Sequence, residues 1–205
     1  MSLRVFAWIL GLLNAALLMV FAYGPPSHDW ALAPKAITMA WTLLTGSWFH
    51  ADAQHLFGNL ISINVLMLGV YFTWPRQSIR LWLWSWLLSS VMLFLIGELG
   101  SRHIGASTWV YSLGFFLMFQ GLLYRHPLYR RMAFAAVLWY GNMWQGMIPL
   151  LVPENVSWEG HLSGAIAGVL YLLIFRRSML SQAMPMASME GLDGSDAEEN
   201  PYDQL

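Results

Sequence analysis

The sequence predicts an all-α integral membrane protein, a bundle of six transmembrane helices with a long outer loop after the first. Three observations support this fold class: the composition, the lengths of the apolar runs and the placement of the basic residues. Of the 205 residues, 58% are hydrophobic and only 10% are charged, whereas soluble domains carry about 25% charged residues. The mean hydropathy is +0.52. The absence of cysteine further excludes disulfide and thiolate chemistry.

Six apolar runs are long enough, or nearly so, to cross a hydrocarbon core about 30 Å thick, which takes roughly 20 helical residues. The runs are Val5 to Tyr23, Leu56 to Trp74, Leu81 to Gly97, Ile104 to Tyr124, Met132 to Val152 and His161 to Phe175. They are too long and too evenly apolar for the strands of a membrane barrel. We expect the short last run to gain length from Trp158 onwards, and the arginines after it to snorkel to the interface.

The first run also has features of a secretory signal, since Arg4 precedes an apolar stretch that ends in the small residue Ala22. A signal core is about 7–15 residues long. The run from Val5 to Tyr23 is longer, so we expect it to be a retained span.

The basic residues predict the orientation. With the amino terminus in the cytoplasm, only Lys35 and Arg102 of the ten Lys and Arg residues face outward, and cytoplasmic loops are the ones enriched in positive charge. Both termini are therefore expected in the cytoplasm, and a bacterial inner (cytoplasmic) membrane is the expected location. We interpret the arginines at 125, 130 and 131 as topology determinants and contacts to anionic lipids, and not as a nucleic-acid patch.

Two parts of the chain differ in charge. Residues 1–177 hold all six predicted spans and form the expected membrane domain. Residues 178–205 carry six acidic residues and no Lys or Arg, which is typical of a solvated, disordered segment. We expect this part to be a cytoplasmic tail.

Four polar side chains are predicted to lie at one depth. His55 and Asn59 fall in the first turns of span two, Ser107 in the first turn of span four and His161 at the start of span six. All three spans enter from the outer side, and each helical residue adds only about 1.5 Å of depth. Any one of these residues alone is explained by an interhelical hydrogen bond, but four at one level favour a functional site.

Serine hydrolysis is the chemistry that suits this set. The imidazole of His161 can take the proton of the Ser107 hydroxyl and later deliver it to a leaving amine. The free N–H groups at the helix start beside Ser107 can face an oxyanion. His55 and Asn59, spaced i and i+4, share a helix face and can add donors, and Gly105 permits the turn before the serine.

Small residues predict that spans four and six pack against each other. In span four, Ser107, Tyr111, Gly114, Met118 and Gly121 form one stripe, and in span six His161, Gly164, Ala165 and Gly168 form another. Faces of this kind let helix backbones approach closely. We expect the two stripes to meet and to bring Ser107 near His161.

The stretches HADAQHLFGN (50 to 59), GASTWVY (105 to 111) and HLSGAIAG (161 to 168) occur in that order on spans two, four and six. In these motifs the chain resembles the rhomboid intramembrane serine proteases, and the resemblance covers about residues 1 to 177. The ordered triple is specific, whereas any one motif would be weak.

The resemblance implies a rhomboid-like six-helix fold and roles for individual residues. Ser107 would be the nucleophile and His161 its base, with His55 and Asn59 in the oxyanion hole. Tyr111 would pack on the catalytic histidine, and His50 would support the long first loop. The family cleaves other membrane proteins in or beside their transmembrane segments, needs no metal or other cofactor, and admits substrate helices near spans two and five.

Two positions differ from the family pattern. Thr108 follows the serine where many members carry glycine, and a β-branched residue there bears on the oxyanion geometry. In the first loop, Thr42 follows Trp41 where a Trp-Arg pair is common, which bears on the anchoring of that loop.

Three other functions are left open by the sequence. One is an inactive rhomboid-like protein that binds membrane clients, although such relatives usually lack the serine or the histidine. Another is a transporter, which the near absence of charge in mid-membrane disfavours, since Glu98 lies at the outer end of span three. The last is a metal or haem site. Its candidate ligands are His50, His55, His103 and His161, but no intramembrane carboxylate or cysteine is available to complete a zinc set.

Overall fold

The computed structural model describes residues 1–181, and this part of the chain is helical apart from its loops and one isolated bridge. The predicted acidic tail lies almost wholly outside the described residues. Seven α-helices lie within residues 1–174, and helical backbone resumes over residues 176–181. They are α1 (Leu3–Tyr23), α2 (Ser27–Trp30), α3 (Ala53–Thr73), α4 (Ser78–Ile96), α5 (Ser107–Leu123), α6 (Pro127–Tyr140) and α7 (Trp158–Ile174). Short 3-10 segments fill parts of the two longest connections.

Several helices are apolar enough for a membrane. Within the described residues, α1, α3 and α4 have both the length and the composition to span a bilayer, and α5 and α7 are apolar helices of 17 residues. A helix of that length extends about 26 Å, somewhat less than the hydrocarbon core of about 30 Å. The chain is therefore a multi-pass integral membrane protein.

The last helix begins as predicted. α7 starts at Trp158, and the Ser157 hydroxyl accepts a hydrogen bond from the Gly160 N–H at 3.0 Å. This is an N-cap, which satisfies one of the N–H groups that a helix start leaves without an intrahelical partner. His161 consequently lies in the first turn of α7.

The fifth predicted run does not form one continuous helix. Instead of covering Met132 to Val152, α6 begins at Pro127 and ends at Tyr140, and the 3-10 segments Gly141–Met147 and Pro149–Leu151 follow it. Proline is favoured at a helix start and disfavours helical backbone in the residue before it. Pro127 and Pro149 both act in this way, because the residues before them are extended, with φ −61° and ψ 138° at residue 126 and φ −108° and ψ 116° at residue 148. Hydropathy alone does not detect such interruptions.

α5 and α7 form the closest helix pair of the bundle. A Cβ atom at Gly164 would overlap the Thr108 carbonyl oxygen, and one at Gly168 would overlap the Ser112 carbonyl oxygen. The two backbones are therefore in direct contact, as small residues permit in membrane helices. The small-residue stripe of span six packs on span four, as the sequence predicted.

The glycines of α5 face a different neighbour from the one predicted. A Cβ at Gly114 would lie 3.1 Å from the Met143 sulfur, and one at Gly121 would lie 2.6 Å from the Ala133 Cβ. These glycines therefore pack against α6 and the 3-10 segment that follows it, and not against α7. The prediction that one stripe of α5 carries both its glycines and its contact with α7 was wrong.

α1 is joined to α3 by a pair of side-chain amides. Asn14 Nδ2 donates to Asn64 Oδ1 at 2.9 Å, and Asn64 Nδ2 donates to Asn14 Oδ1 at 3.0 Å. Hydrogen bonds of this kind between membrane helices contribute about 0.6 kcal/mol on average. The pair fixes the register of α1 on α3.

Candidate active site

The predicted nucleophile and the predicted base meet at the starts of two helices. Ser107 is the first residue of α5, and its Oγ lies 3.2 Å from His161 Nε2 in the first turn of α7. Tyr111, one turn further along α5, stacks on the imidazole with ring centroids 4.1 Å apart and planes 7° apart. The close contact of α5 and α7 thus brings together the three residues that the sequence assigned to this site.

The other imidazole nitrogen has a partner that sequence reasoning did not identify. His161 Nδ1 lies 2.9 Å from the backbone carbonyl oxygen of Gly146, in the 3-10 segment Gly141–Met147. In the sequence Gly146 is one more glycine in an apolar run. No pattern marks it as a contact of His161, because the contact is made by its backbone.

Asn59 lies close to the turn that precedes the serine. Its side chain is buried, and its Nδ2 has no hydrogen-bond partner within residues 1–181. A Cβ at Gly105 would lie 3.5 Å from this nitrogen. The residue before α5, Ala106, has no polar side chain that could cap the helix. The first N–H groups of α5 and the Asn59 amide are therefore donors available to an anion near Ser107.

The turn before the serine requires glycine. Gly105 has φ of +108°, a backbone conformation that residues with a side chain rarely adopt. A Cβ there would also lie 2.5 Å from the His55 ring. Gly105 therefore allows His55 to pack directly on the backbone that leads into Ser107.

His50 binds this turn from the first loop. The Ala106 N–H donates to His50 Nε2 at 3.4 Å, and the His50 and His55 rings contact edge to face with centroids 5.0 Å apart. Burial, and after it the neighbouring His55, lowers the pKa of His50 to about 4. His50 is therefore neutral at pH 7, as an acceptor of the Ala106 N–H must be.

Comparison with known proteins decides the family. The family model described as Rhomboid domain matches residues 38–178. This chain belongs to the rhomboid family. Uncharacterized proteins of Mycobacterium tuberculosis and Mycobacterium leprae are 35% and 33% identical to it over 143 residues, or 65% of this chain. A protein of Acanthamoeba polyphaga mimivirus that is named as a rhomboid protein is 26% identical over 136 residues, 64% of this chain and 73% of its own.

The matched region is only part of the mycobacterial relatives. It spans 59% of the length of the Mycobacterium tuberculosis protein and 56% of that of the Mycobacterium leprae protein. The family match begins at residue 38, so it includes α3 to α7 and the second half of the first loop, but not α1.

The first loop of this rhomboid is tied to the turn before Ser107 by backbone hydrogen bonds. Leu32 and His103 exchange a pair of them at 2.9 and 3.0 Å, and the Gly105 N–H donates to the Gly46 carbonyl at 3.1 Å. Four indole rings add a second attachment, since Trp48 of the loop contacts rings on α4 and α5. The four are Trp48, Trp82, Trp86 and Trp109, with contacting centroids 5.4–6.5 Å apart.

Thr42, the residue after Trp41, forms hydrogen bonds within the first loop. It is fully buried. Its Oγ1 donates to the Met39 carbonyl at 2.7 Å and accepts from the Ala33 N–H at 3.2 Å. A hydroxyl can make both bonds at once, so Thr42 links two parts of the loop to each other.

An open cleft of about 980 Å³ reaches the candidate site from the loops that precede α3, α5 and α7. The four polar residues predicted at one depth all line it: His55, Asn59, Ser107 and His161. Thr108 lines an adjoining cavity of about 20 Å³ together with Ser90, and Ser107 lines both this cavity and the cleft. Thr108 is not among the residues that line the cleft.

Residues 1–181 contain no group of three or more His, Asp or Glu side chains arranged to hold a metal ion. His50, His55 and His161 each have a contact of another kind. His50 accepts from the Ala106 N–H, His55 packs on the Gly105 backbone, and His161 lies between Ser107 and Gly146.

Proposed function

We propose that this rhomboid is an intramembrane serine endopeptidase that cleaves other membrane proteins in or next to their transmembrane segments. The observation that carries the proposal is the 3.2 Å separation of Ser107 Oγ and His161 Nε2 at the floor of an open cleft. A serine within hydrogen-bond reach of an imidazole is the arrangement of an activated nucleophile.

In the proposed reaction, Ser107 Oγ attacks the scissile carbonyl carbon while His161 Nε2 takes the hydroxyl proton. The tetrahedral intermediate then collapses, the peptide C–N bond breaks, and His161 returns the proton to the leaving amine. Water entering through the cleft attacks the resulting ester, with His161 again accepting and returning a proton. The products are a carboxylate, an amine and free Ser107.

Donors around the serine support the same reaction. The carbonyl oxygen becomes negatively charged in the intermediate. The first N–H groups of α5 adjoin Ser107, and the Asn59 amide lies at the Gly105 turn and lines the same cleft as Ser107. Removing one such donor typically costs 10²–10³ in kcat (order of magnitude). We assign Asn59 to the oxyanion hole, with the His55 ring supporting Gly105 beside it.

The proposed substrates are single-span or other membrane proteins that reach the cleft laterally from the bilayer. We propose entry between α3 and α6, because the outer half of α6 exposes Leu138 and Trp139 and because the family resemblance favours this route. The proposed setting is a bacterial inner membrane, with both termini in the cytoplasm and the cleft on the outer side.

Purified protein in liposomes, incubated with a single-span model substrate, tests the proposal. Wild type is expected to cleave within or near the span, and Ser107→Ala and His161→Ala to be inactive while remaining folded. Cleavage by both variants at the wild-type rate would contradict the proposal. A folded wild type that cleaves none of several substrates would favour a client-binding role.

A further inference from the structure

We propose that Gly146 is a positioning residue for the catalytic base, acting through its backbone carbonyl, and that it couples the position of α6 to the orientation of His161. The inference rests on the proposed function. A carbonyl oxygen can only accept a hydrogen bond, so the 2.9 Å contact with Gly146 requires the proton on His161 Nδ1. Nε2 is then left with its lone pair facing the Ser107 hydroxyl, which is the tautomer that a general base needs.

Glycine at 146 follows from the position of Tyr111. A Cβ at residue 146 would overlap the Tyr111 hydroxyl and lie 3.1 Å from His161 Nδ1. Tyr111 cannot turn away at little cost, because its ring is buried and stacked on the imidazole at 4.1 Å. An added methyl group therefore either displaces Tyr111 from His161 or moves the Gly146 carbonyl away from Nδ1. In both cases the imidazole loses a contact that holds its orientation.

The coupling to α6 follows from connectivity. Gly146 lies in the segment Gly141–Met147, which continues directly from α6. Met143 attaches this segment to α5 through its sulfur, at the place where a Cβ of Gly114 would lie 3.1 Å away. A movement of the outer end of α6 away from α5 therefore withdraws the carbonyl from His161. The base is correctly oriented only when this segment is docked.

The test compares two glycine-to-alanine variants of the same segment in the liposome assay. Gly146→Ala is expected to lower kcat by about 100-fold with KM within about 3-fold of wild type, since a misplacement of about 1 Å in a catalytic group costs this much. Gly141→Ala is the matched control, because its Cβ would meet nothing closer than Val137 Cγ1 at 3.5 Å. It should retain the kcat of wild type.

A second substitution keeps the test informative if Gly146→Ala also loses stability. Adding Tyr111→Phe removes the hydroxyl that the new methyl group would overlap, while the ring can still stack on His161. The double variant should recover to within about 5-fold of the kcat of Tyr111→Phe alone, because only a tight contact with the ring carbon and Nδ1 is left. Thermal unfolding of each variant is recorded in parallel.

The outcomes separate this inference from the proposed function. If wild type cleaves and Gly146→Ala matches Gly141→Ala, the positioning role is wrong and the protease assignment stands. If the folded double variant is as slow as Gly146→Ala, the steric explanation that involves Tyr111 is wrong. If wild type neither cleaves substrate nor is acylated at Ser107, the proposed function fails and the positioning role fails with it.

Discussion

The two sides of α5 are packed differently. Along α7 the contact is backbone to backbone, at Gly164 against Thr108 and again one turn later at Gly168 against Ser112. Along α6 the approach is close at Gly121, where a Cβ would meet the Ala133 side chain and the Arg130 backbone, in the first half of that helix. Further on, the helix gives way to 3-10 turns attached through Met143, and Trp139 is 81% exposed.

This difference separates two requirements of the proposed reaction. The serine and the histidine lie on the most closely packed pair of helices, and direct backbone contact leaves little room for their separation to change. The residue that orients the histidine lies on the other side, in a segment held by a flexible methionine side chain. The α5–α7 contact thus fixes the distance between the reacting groups, and the α6 side controls whether the base is correctly oriented.

The largest effect is expected from disrupting the α5–α7 contact. Gly168→Leu places a side chain against the Ser112 carbonyl, and overpacking of a close contact costs about 1–3 kcal/mol or more. Activity should fall at least about 100-fold, because Ser107 moves away from His161, and the thermal unfolding temperature should fall with it. Gly11→Leu on α1 is the matched control, since a Cβ at Gly11 meets nothing within 4 Å. Equal behaviour of the two variants would contradict this description of the contact.

The next largest effect is expected at Asn59, and the same substitution at Asn14 serves as a structural control. Asn59→Ala should lower kcat by about 100-fold through loss of an oxyanion donor, with little change in unfolding temperature because its Nδ2 has no partner within the described residues. Asn14→Ala breaks the pair with Asn64 and should lower stability by about 1 kcal/mol with kcat unchanged. The reverse pattern would remove Asn59 from the oxyanion hole.

A pH dependence of stability is expected from His50. Its pKa is about 4 in the folded protein against 6.5 for the free side chain, so the unfolded state binds the proton more tightly. The contribution of His50 to the free energy of unfolding is complete above pH 6.5. It falls by about 1.4 kcal/mol for each pH unit between 6.5 and 4, because the unfolded state takes up the proton first. Thermal unfolding in detergent between pH 7.5 and 4.5 measures this. In His50→Gln, which retains an acceptor for the Ala106 N–H, this part of the slope should disappear, and an unchanged slope would exclude His50 as its origin.

The smallest effect is expected on the exposed side of α6. Trp139→Ala should change stability by less than about 0.5 kcal/mol, because the side chain has few protein contacts to lose. Trp109→Ala is the same substitution in a fully buried residue of the four-indole cluster, and it should cost about 3–5 kcal/mol. Similar losses in both variants would show that α6 is packed as firmly as α5.

Much of this arrangement was predictable from the sequence. Long apolar runs identified α1, α3, α4, α5 and α7 to within a few residues. The glycine stripe of span six predicted the contact with α5, because small residues are the main signal for close packing in lipid. The positions of Ser107 and His161 at helix starts followed from the same boundaries.

Other features were not predictable for physical reasons. The fifth run divides into α6 and two 3-10 segments, the second of which begins at Pro149. Hydropathy does not register a division of this kind. The Gly146 contact uses a backbone carbonyl, a group that every residue carries, so the sequence does not identify its partner even though the site requires a glycine. Gly114 and Gly121 face the α6 side because of the rotation of α5 about its own axis. A stripe of small residues does not determine that rotation when two neighbouring helices could both pack against the stripe.

The most direct test of the central claim is covalent labelling of Ser107. Wild-type protein in liposomes is treated with a fluorophosphonate, which reacts with activated serines, and the adduct is located by mass spectrometry beside His161→Ala and Ser107→Ala. The dyad predicts a single adduct on Ser107 in wild type, slower labelling in His161→Ala and none in Ser107→Ala. An adduct at another serine, or equal labelling of wild type and folded His161→Ala, would contradict the claim that His161 activates Ser107.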